Sequence, residues 1–96
     1  MNVRLLDEVY DDVSSAVYWY EKRCTGLGED FSQLFFSLVE RLPEQAFHHA
    51  IDDTGYRPLR MPRFTAVVYY AIEADEIVVA GVMVGGRSAS NLLGRE

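Results

Sequence analysis

Arginine is the side chain in this sequence best placed to do chemistry. Arg57, Arg60 and Arg63 stand between Thr54 and Ile72 with no acid among them, and Arg87 follows the last apolar run. Arg60 and Arg63 flank Met61-Pro62 just ahead of a strand-like stretch, so two neighbouring strands would bring these groups to one end of a sheet. Guanidinium forks gathered there hold a phosphate or a carboxylate through paired N–H bonds. Arg57 fits a second role equally well, as a counter-charge to acids elsewhere in the chain.

Other titratable groups carry less. His48 and His49 are adjacent, so they point apart in any regular structure, and neither has a third ligand, a carboxylate or a nucleophile nearby in sequence. Glu8, Asp11 and Asp12 resemble paired carboxylates on paper, yet a solvated helix face accounts for them. Cys24 is the sole cysteine, which excludes an internal disulfide and a thiolate cluster for zinc, and it reads as a small buried apolar group. Gly85-Gly86 lacks the lysine of a phosphate loop. No metal or cofactor is expected. Three consecutive rings, Tyr18-Trp19-Tyr20, cannot all turn inward from a helix, so at least one belongs at the rim of the core or on a partner surface.

The chain of 96 residues makes one domain, 1–96, with a core of marginal size. Its 49% hydrophobic and 25% charged residues are ordinary for a soluble globular protein. No apolar run is long enough to span a bilayer, and Asp7-Glu8 soon follow the start where a signal core would stand, so a cytoplasmic location is expected. Net charge is −6, which argues against strong binding to free nucleic acid. The charge is uneven: residues 1–53 carry eleven acids against four bases, residues 54–96 four acids against five arginines. An anion-facing surface therefore belongs to the C-terminal half.

The positioning elements follow from periodicity. Val9, Val13, Ala16, Val17, Tyr20 and Cys24 recur at three and four, giving a helix over 8–24 with Asp7 as its cap and Gly26 closing the reversal after it. Phe31, Leu34, Phe35, Leu38, Val39 and Leu42 predict a second helix, ended by Pro43 and antiparallel to the first. Residues 44–55 read as a loop or short turn. Beyond them, 56–59 forms an edge strand interrupted at Pro58, 64–72 a second strand, and 77–84 a third that is apolar on both faces. Glu73-Ala74-Asp75-Glu76 is a four-residue hairpin loop. Only Met1 to Leu6 precede the first helix, so a strand there is short, about four to five residues, and the edge beside it is left open to another chain.

Two segments in this order carry a resemblance. Val17-Tyr18-Trp19-Tyr20-Glu21 with Gly26-Leu27-Gly28 and Phe31, then Leu59-Arg60-Met61-Pro62-Arg63-Phe64 with Ala66-Val67-Val68-Tyr69-Tyr70 and Gly86-Arg87, resemble the RelE/ParE toxins of type II toxin–antitoxin pairs, the plasmid stabilisation proteins. The resemblance implies an α+β fold, a two-helix hairpin on a small curved, mainly antiparallel sheet. It also implies a cognate antitoxin, whose tail would meet Arg57, Arg60, Arg63 and Arg87 and a groove lined by Phe31, Phe35, Leu38 and Trp19. A homodimer is a further expectation.

RelE-like members cut messenger RNA on the ribosome, and that activity would fall here to Arg60, Arg63, Arg87 and Tyr69. ParE-like members poison DNA gyrase by binding. This chain departs from the nuclease pattern, with Val84 where members often have His and Ser88-Ala89 where they have Asp-Pro. It also has no lysine after Lys22 and no tyrosine after Tyr70. The Trp-Tyr-Glu and Gly-Leu-Gly motifs are nearer the ParE branch. A gyrase-binding toxin is therefore expected ahead of a nuclease, with a diverged fold that only binds antitoxin or itself as the third reading.

Overall fold

The structure, a computed structural model, describes residues 1–85 together with Leu92 and Arg95. Strand β1 (Asn2–Leu5) leads directly into helix α1 (Asp7–Arg23), and helix α2 (Leu27–Gln45) returns beside it. Strands β2 (Arg57–Arg60), β3 (Ala66–Glu73) and β4 (Glu76–Val84) complete a four-stranded sheet of order β1-β4-β3-β2, in which only the β1–β4 pair is parallel. The architecture is the α+β arrangement expected, with the short first strand.

Helix α1 buries Val9, Val13, Ala16 and Tyr20 on one face. Asp7 does not cap it: Leu6 is the N-cap, extended at φ −65° and ψ 153°, because its N–H is already spent on Val79 of the sheet. Asp7 and Glu8 fall in the first turn and Lys22 and Arg23 in the last, the arrangement the helix dipole favours.

The reversal into α2 depends on one carboxylate. Glu21 accepts hydrogen bonds from the N–H of Gly26 (2.9 Å) and of Gly28 (3.0 Å), groups the helix itself leaves without partners. Gly26 takes φ +90°, open to glycine without strain, and Gly28 lets the helices touch, since a Cβ there would lie 2.6 Å from the Val17 carbonyl oxygen. Cys24, expected to be buried, sits exposed at this corner because α1 ends before it.

Helix α2 buries Phe31, Phe35, Leu38 and Leu42, the predicted stripe. Pro43 does not end it. The proline forfeits one backbone bond, yet the helix runs to Gln45, and Ala46 beyond it is buried while its carbonyl accepts a 2.7 Å bond from the Tyr70 hydroxyl. Packing of Leu42 and Ala46 on the sheet outweighs the local cost.

The turn between β3 and β4 is tighter than expected. Glu73 and Glu76 are a paired rung, leaving two turn residues, of which Ala74 is left-handed at φ 55°. Across this hairpin Tyr69 pairs with Gly81 but Tyr70 with Val79, so Ala80 is an extra residue in β4. Such a bulge changes which residues face the helices: Ile77 and Val79 do so before it, Val82 after it. Residues Ile77 to Met83 are all buried, covered by the helices on one side and by Leu92 over Ala80 and Met83 on the other.

Candidate functional site

Strands β2 and β3 and the turn joining them position the arginines. Arg57 pairs across the sheet with Tyr70 and Arg60 with Val67. Three residues apart on a strand, the two guanidinium groups leave from opposite faces. Arg57 lies on the helix-covered side: its Nη1 donates to the His49 carbonyl at 2.7 Å, and its guanidinium lies 5.5 Å from the Phe47 ring. Arg60 is exposed on the other side. There it lines an open cavity of about 490 Å³ with Phe64, Val67, Tyr69 and Met83.

Arg63 occupies the turn in the left-handed conformation, φ 74°, and reaches back toward α2, where its Nη2 is 3.6 Å from Asp30. Both partners are exposed, so this is a weak surface pair. The guanidinium groups of Arg57, Arg60 and Arg63 therefore do not form a single cluster. Arg87 lies outside the described residues. What the sheet does bring together is Arg60 and Tyr69, a fixed cation and a phenol on one concave surface without a carboxylate among the cavity's described lining. That combination binds an anion and can donate a hydrogen bond to it.

Of the expected partner surface, Phe31 and Phe35 are fully buried and Leu38 nearly so. They fill the space between hairpin and sheet rather than lining a groove. Phe31 stacks on Tyr20 at 5.2 Å between ring centres, and both meet Phe64 edge-on. Trp19 is half-buried beneath Arg23, whose guanidinium lies 3.3 Å from its ring centre, and beside a small cavity of about 90 Å³ with Ser15 and Val84. The large apolar side chains left exposed are others, among them Tyr10, Tyr18, Phe36, Phe47 and Ile51.

Tyr70 does not share Tyr69's surface. It points into the core, and burial pushes its hydroxyl pKa above the usual range, with Arg57 pulling the other way. His49 packs edge-on to Tyr70, and its Nε2 is buried without a hydrogen-bond partner among the described residues, while His48 is exposed. Among the described residues no group of His, Cys, Asp and Glu is placed to hold a metal ion, and no helix is long and apolar enough to cross a membrane.

Two polar groups were missed or misjudged in the sequence. Asp12 is no solvated acid. It is half-buried, accepts the Val82 N–H at 3.0 Å and pairs with Arg95 at 2.6 Å. Arg95 lies 83 residues away, and no spacing rule links them.

No protein-family model matches the sequence, and no curated protein matches it. Among solved structures, a chain of the "Chromosomal ParDE TA system from P. aeruginosa" superposes with a TM-score of 0.77 at 17% identity, over 88% of this chain and 97% of that one. The chain has a ParE-like fold. At this identity the likeness speaks for the fold, and the residues must speak for themselves.

Proposed function

We propose that this protein is the toxin of a toxin–antitoxin pair and acts by binding its target, with DNA gyrase as the target class. The observation that carries the reading is the fold, shared along nearly its whole length with a chain of a ParDE toxin–antitoxin structure. Induced expression in a bacterial host would arrest growth, and co-expression of an adjacent antitoxin frame would relieve it. Purified protein would change gyrase supercoiling while transcripts stay intact. A harmless protein that ignores the neighbouring gene product would remove the proposal.

The antitoxin contact proposed here is the outer edge of β2. Among the described residues this strand ends the sheet and its outward backbone groups have no strand partner, so an extended tail adds there as a further strand. Arg57 and Arg60 leave this strand to either side and Arg63 stands just past it, so an acidic tail meets a cation on each face. Pro58 removes one N–H from the strand. Co-purification that survives Phe36→Ala but fails after Arg60→Glu would support this edge over the helical surface.

A second reading rests on Arg60 and Tyr69 sharing one cavity. In it the protein is a RelE-like ribosome-dependent nuclease, Arg60 holding the scissile phosphate and Tyr69 donating to an oxygen. Cut transcripts that vanish with Arg60→Ala and with Tyr69→Phe would favour it over gyrase binding.

A further inference from the structure

The bonds that β2 makes fix which of its residues face inward and which face the open edge. The Met61 N–H bonds the Ala66 carbonyl of β3 at 3.0 Å, so Met61 and, at even steps from it, Leu59 and Arg57 turn their backbone groups inward. Pro58 and Arg60 turn theirs outward. Proline has no N–H, so among the described residues the open edge offers one donor, the Arg60 N–H, and two acceptors, the Pro58 and Arg60 carbonyls. At its start the edge is closed. There the Asp52 N–H donates to the Tyr56 carbonyl at 3.0 Å, in a turn held by the Gly55 N–H on the Asp52 carbonyl.

So few backbone bonds leave selectivity to side chains. The segment from Ala46 to Asp52 crosses β2 on the helix side, because Ala46 accepts the Tyr70 hydroxyl of β3 while Asp52 lies against Tyr56 at the outer edge. It carries two apolar side chains that water touches, Phe47 and Ile51, 67% and 60% exposed. Arg57 reaches this segment with its fork on the His49 carbonyl at 2.7 Å and its guanidinium 5.5 Å from the Phe47 ring. With Arg57 so engaged, what the helix side of the edge presents is the Phe47 ring. The other side presents Arg60, exposed at the mouth of its cavity.

We infer that this edge selects an extended segment in which an acidic and an aliphatic residue stand an odd number of positions apart, the acid against Arg60 and the aliphatic side chain on Phe47. The inference rests on the β2 edge being the antitoxin contact. In a strand added here, the residue opposite Arg60 shares its face, and residues one or three positions away turn to the other face, toward Phe47. An acid opposite Arg60 gains a cross-strand charge pair. A leucine or valine at an odd step covers ring surface that is now wet. Spacing carries the selectivity, because an even step sends the aliphatic side chain to the Arg60 face and leaves Phe47 uncovered. A second copy of this chain is refused, since two β2 edges side by side would crowd Arg57, Arg60 and Arg63 of one copy against those of the other.

The test titrates the full-length chain, isotope-labelled for NMR, with two peptides of one composition. Thr-Leu-Thr-Leu-Glu-Leu-Thr sets every leucine at an odd step from the glutamate, and Leu-Thr-Leu-Thr-Glu-Thr-Leu sets every leucine at an even step. The first should bind about tenfold more tightly, the ratio expected when one aliphatic side chain moves from water onto a ring. Its binding should slow hydrogen exchange at the outward Arg60 amide and leave the inward Leu59 amide, on the β3 side, unchanged. Phe47→Ala, a change at an exposed position that leaves the fold intact, should cut the preference to about twofold or less. Arg60→Glu should weaken both peptides by about tenfold. Equal binding of the two peptides, or a preference that survives Phe47→Ala, would overturn the inference and leave the edge reading standing. Binding of neither peptide, protection that misses Arg60, full binding by Arg60→Glu, or a dimer that protects Arg60 without peptide would remove both.

Discussion

Replacing Gly28 by alanine should loosen the helical hairpin, and the size of the effect follows from two contacts. The added methyl would stand 2.6 Å from the Val17 carbonyl oxygen and 3.0 Å from Glu21 Oε1, where ordinary contact begins at 3.4 Å. Relief requires the helices to part by roughly 0.8 Å, because a backbone oxygen cannot rotate away. Overpacking of this kind costs about 1–3 kcal/mol. Alanine recovers at most about 1 kcal/mol through helix propensity, less in the first turn where Gly28 sits. Moving Glu21 also weakens its bonds to the Gly26 and Gly28 N–H groups, a cap worth about 0.5–2 kcal/mol. The net loss is about 2 kcal/mol, a sizeable share of the 5–15 kcal/mol typical of a domain. Thermal unfolding would show a Tm lower by about 8–15 °C. Urea unfolding would show a lower midpoint with an unchanged slope, since the same surface is exposed. Ser37→Ala, exposed on the same helix, is the control and should stabilise by a few tenths of a kcal/mol. A Gly28→Ala protein as stable as wild type would refute the close helix contact.

Glu21→Ala should cost about 1 kcal/mol in urea unfolding, and combined with Gly28→Ala should cost less than the two separately, because both act on one cap. Tyr70→Phe should lose about 1–2 kcal/mol, since the buried Ala46 carbonyl is left without its 2.7 Å donor. The Tyr70 hydroxyl has a folded pKa raised by burial, so its stabilising share is fully present below its ordinary value of 10.0 and is lost as pH rises through the folded value; an alkaline titration by circular dichroism should show wild type losing stability in that range and Tyr70→Phe losing less. Arg60→Ala should leave Tm nearly unchanged yet weaken growth arrest or antitoxin capture, while Arg63→Ala, holding only a 3.6 Å exposed pair to Asp30, should shift stability by no more than about 0.5 kcal/mol.

Much of the fold was legible because periodicity is a local signal. The stripe from Phe31 to Leu42 fixed α2, and the β-branched and aromatic runs fixed β3 and β4. Pro43 misled because its effect is local while Ala46 and Leu42 are held by the sheet, and tertiary packing won. The Glu21…Gly26-Leu27-Gly28 motif was visible, but its reason was not. One carboxylate reaches two N–H groups across a corner, a relation that appears only when the helices are folded together.

The arginines teach the opposite lesson, since their separation was readable all along. Positions 57 and 60 differ by an odd number, and on any regular strand that alone sends the side chains to opposite faces. Arg60 then joins Tyr69, an even step from Val67 across the β2–β3 rung, and Arg57 joins Tyr70. The short first strand was equally readable, and an open edge was the natural consequence. What no local rule supplies is the repair: Asp12 from α1 and Arg95 from near the C-terminus meet at a strand edge neither belongs to. An acid that looks solvated on a helical wheel thus becomes the group that closes the sheet, because hydrogen-bond accounting at the edge of β4 demands a partner for Val82 once β1 has run out.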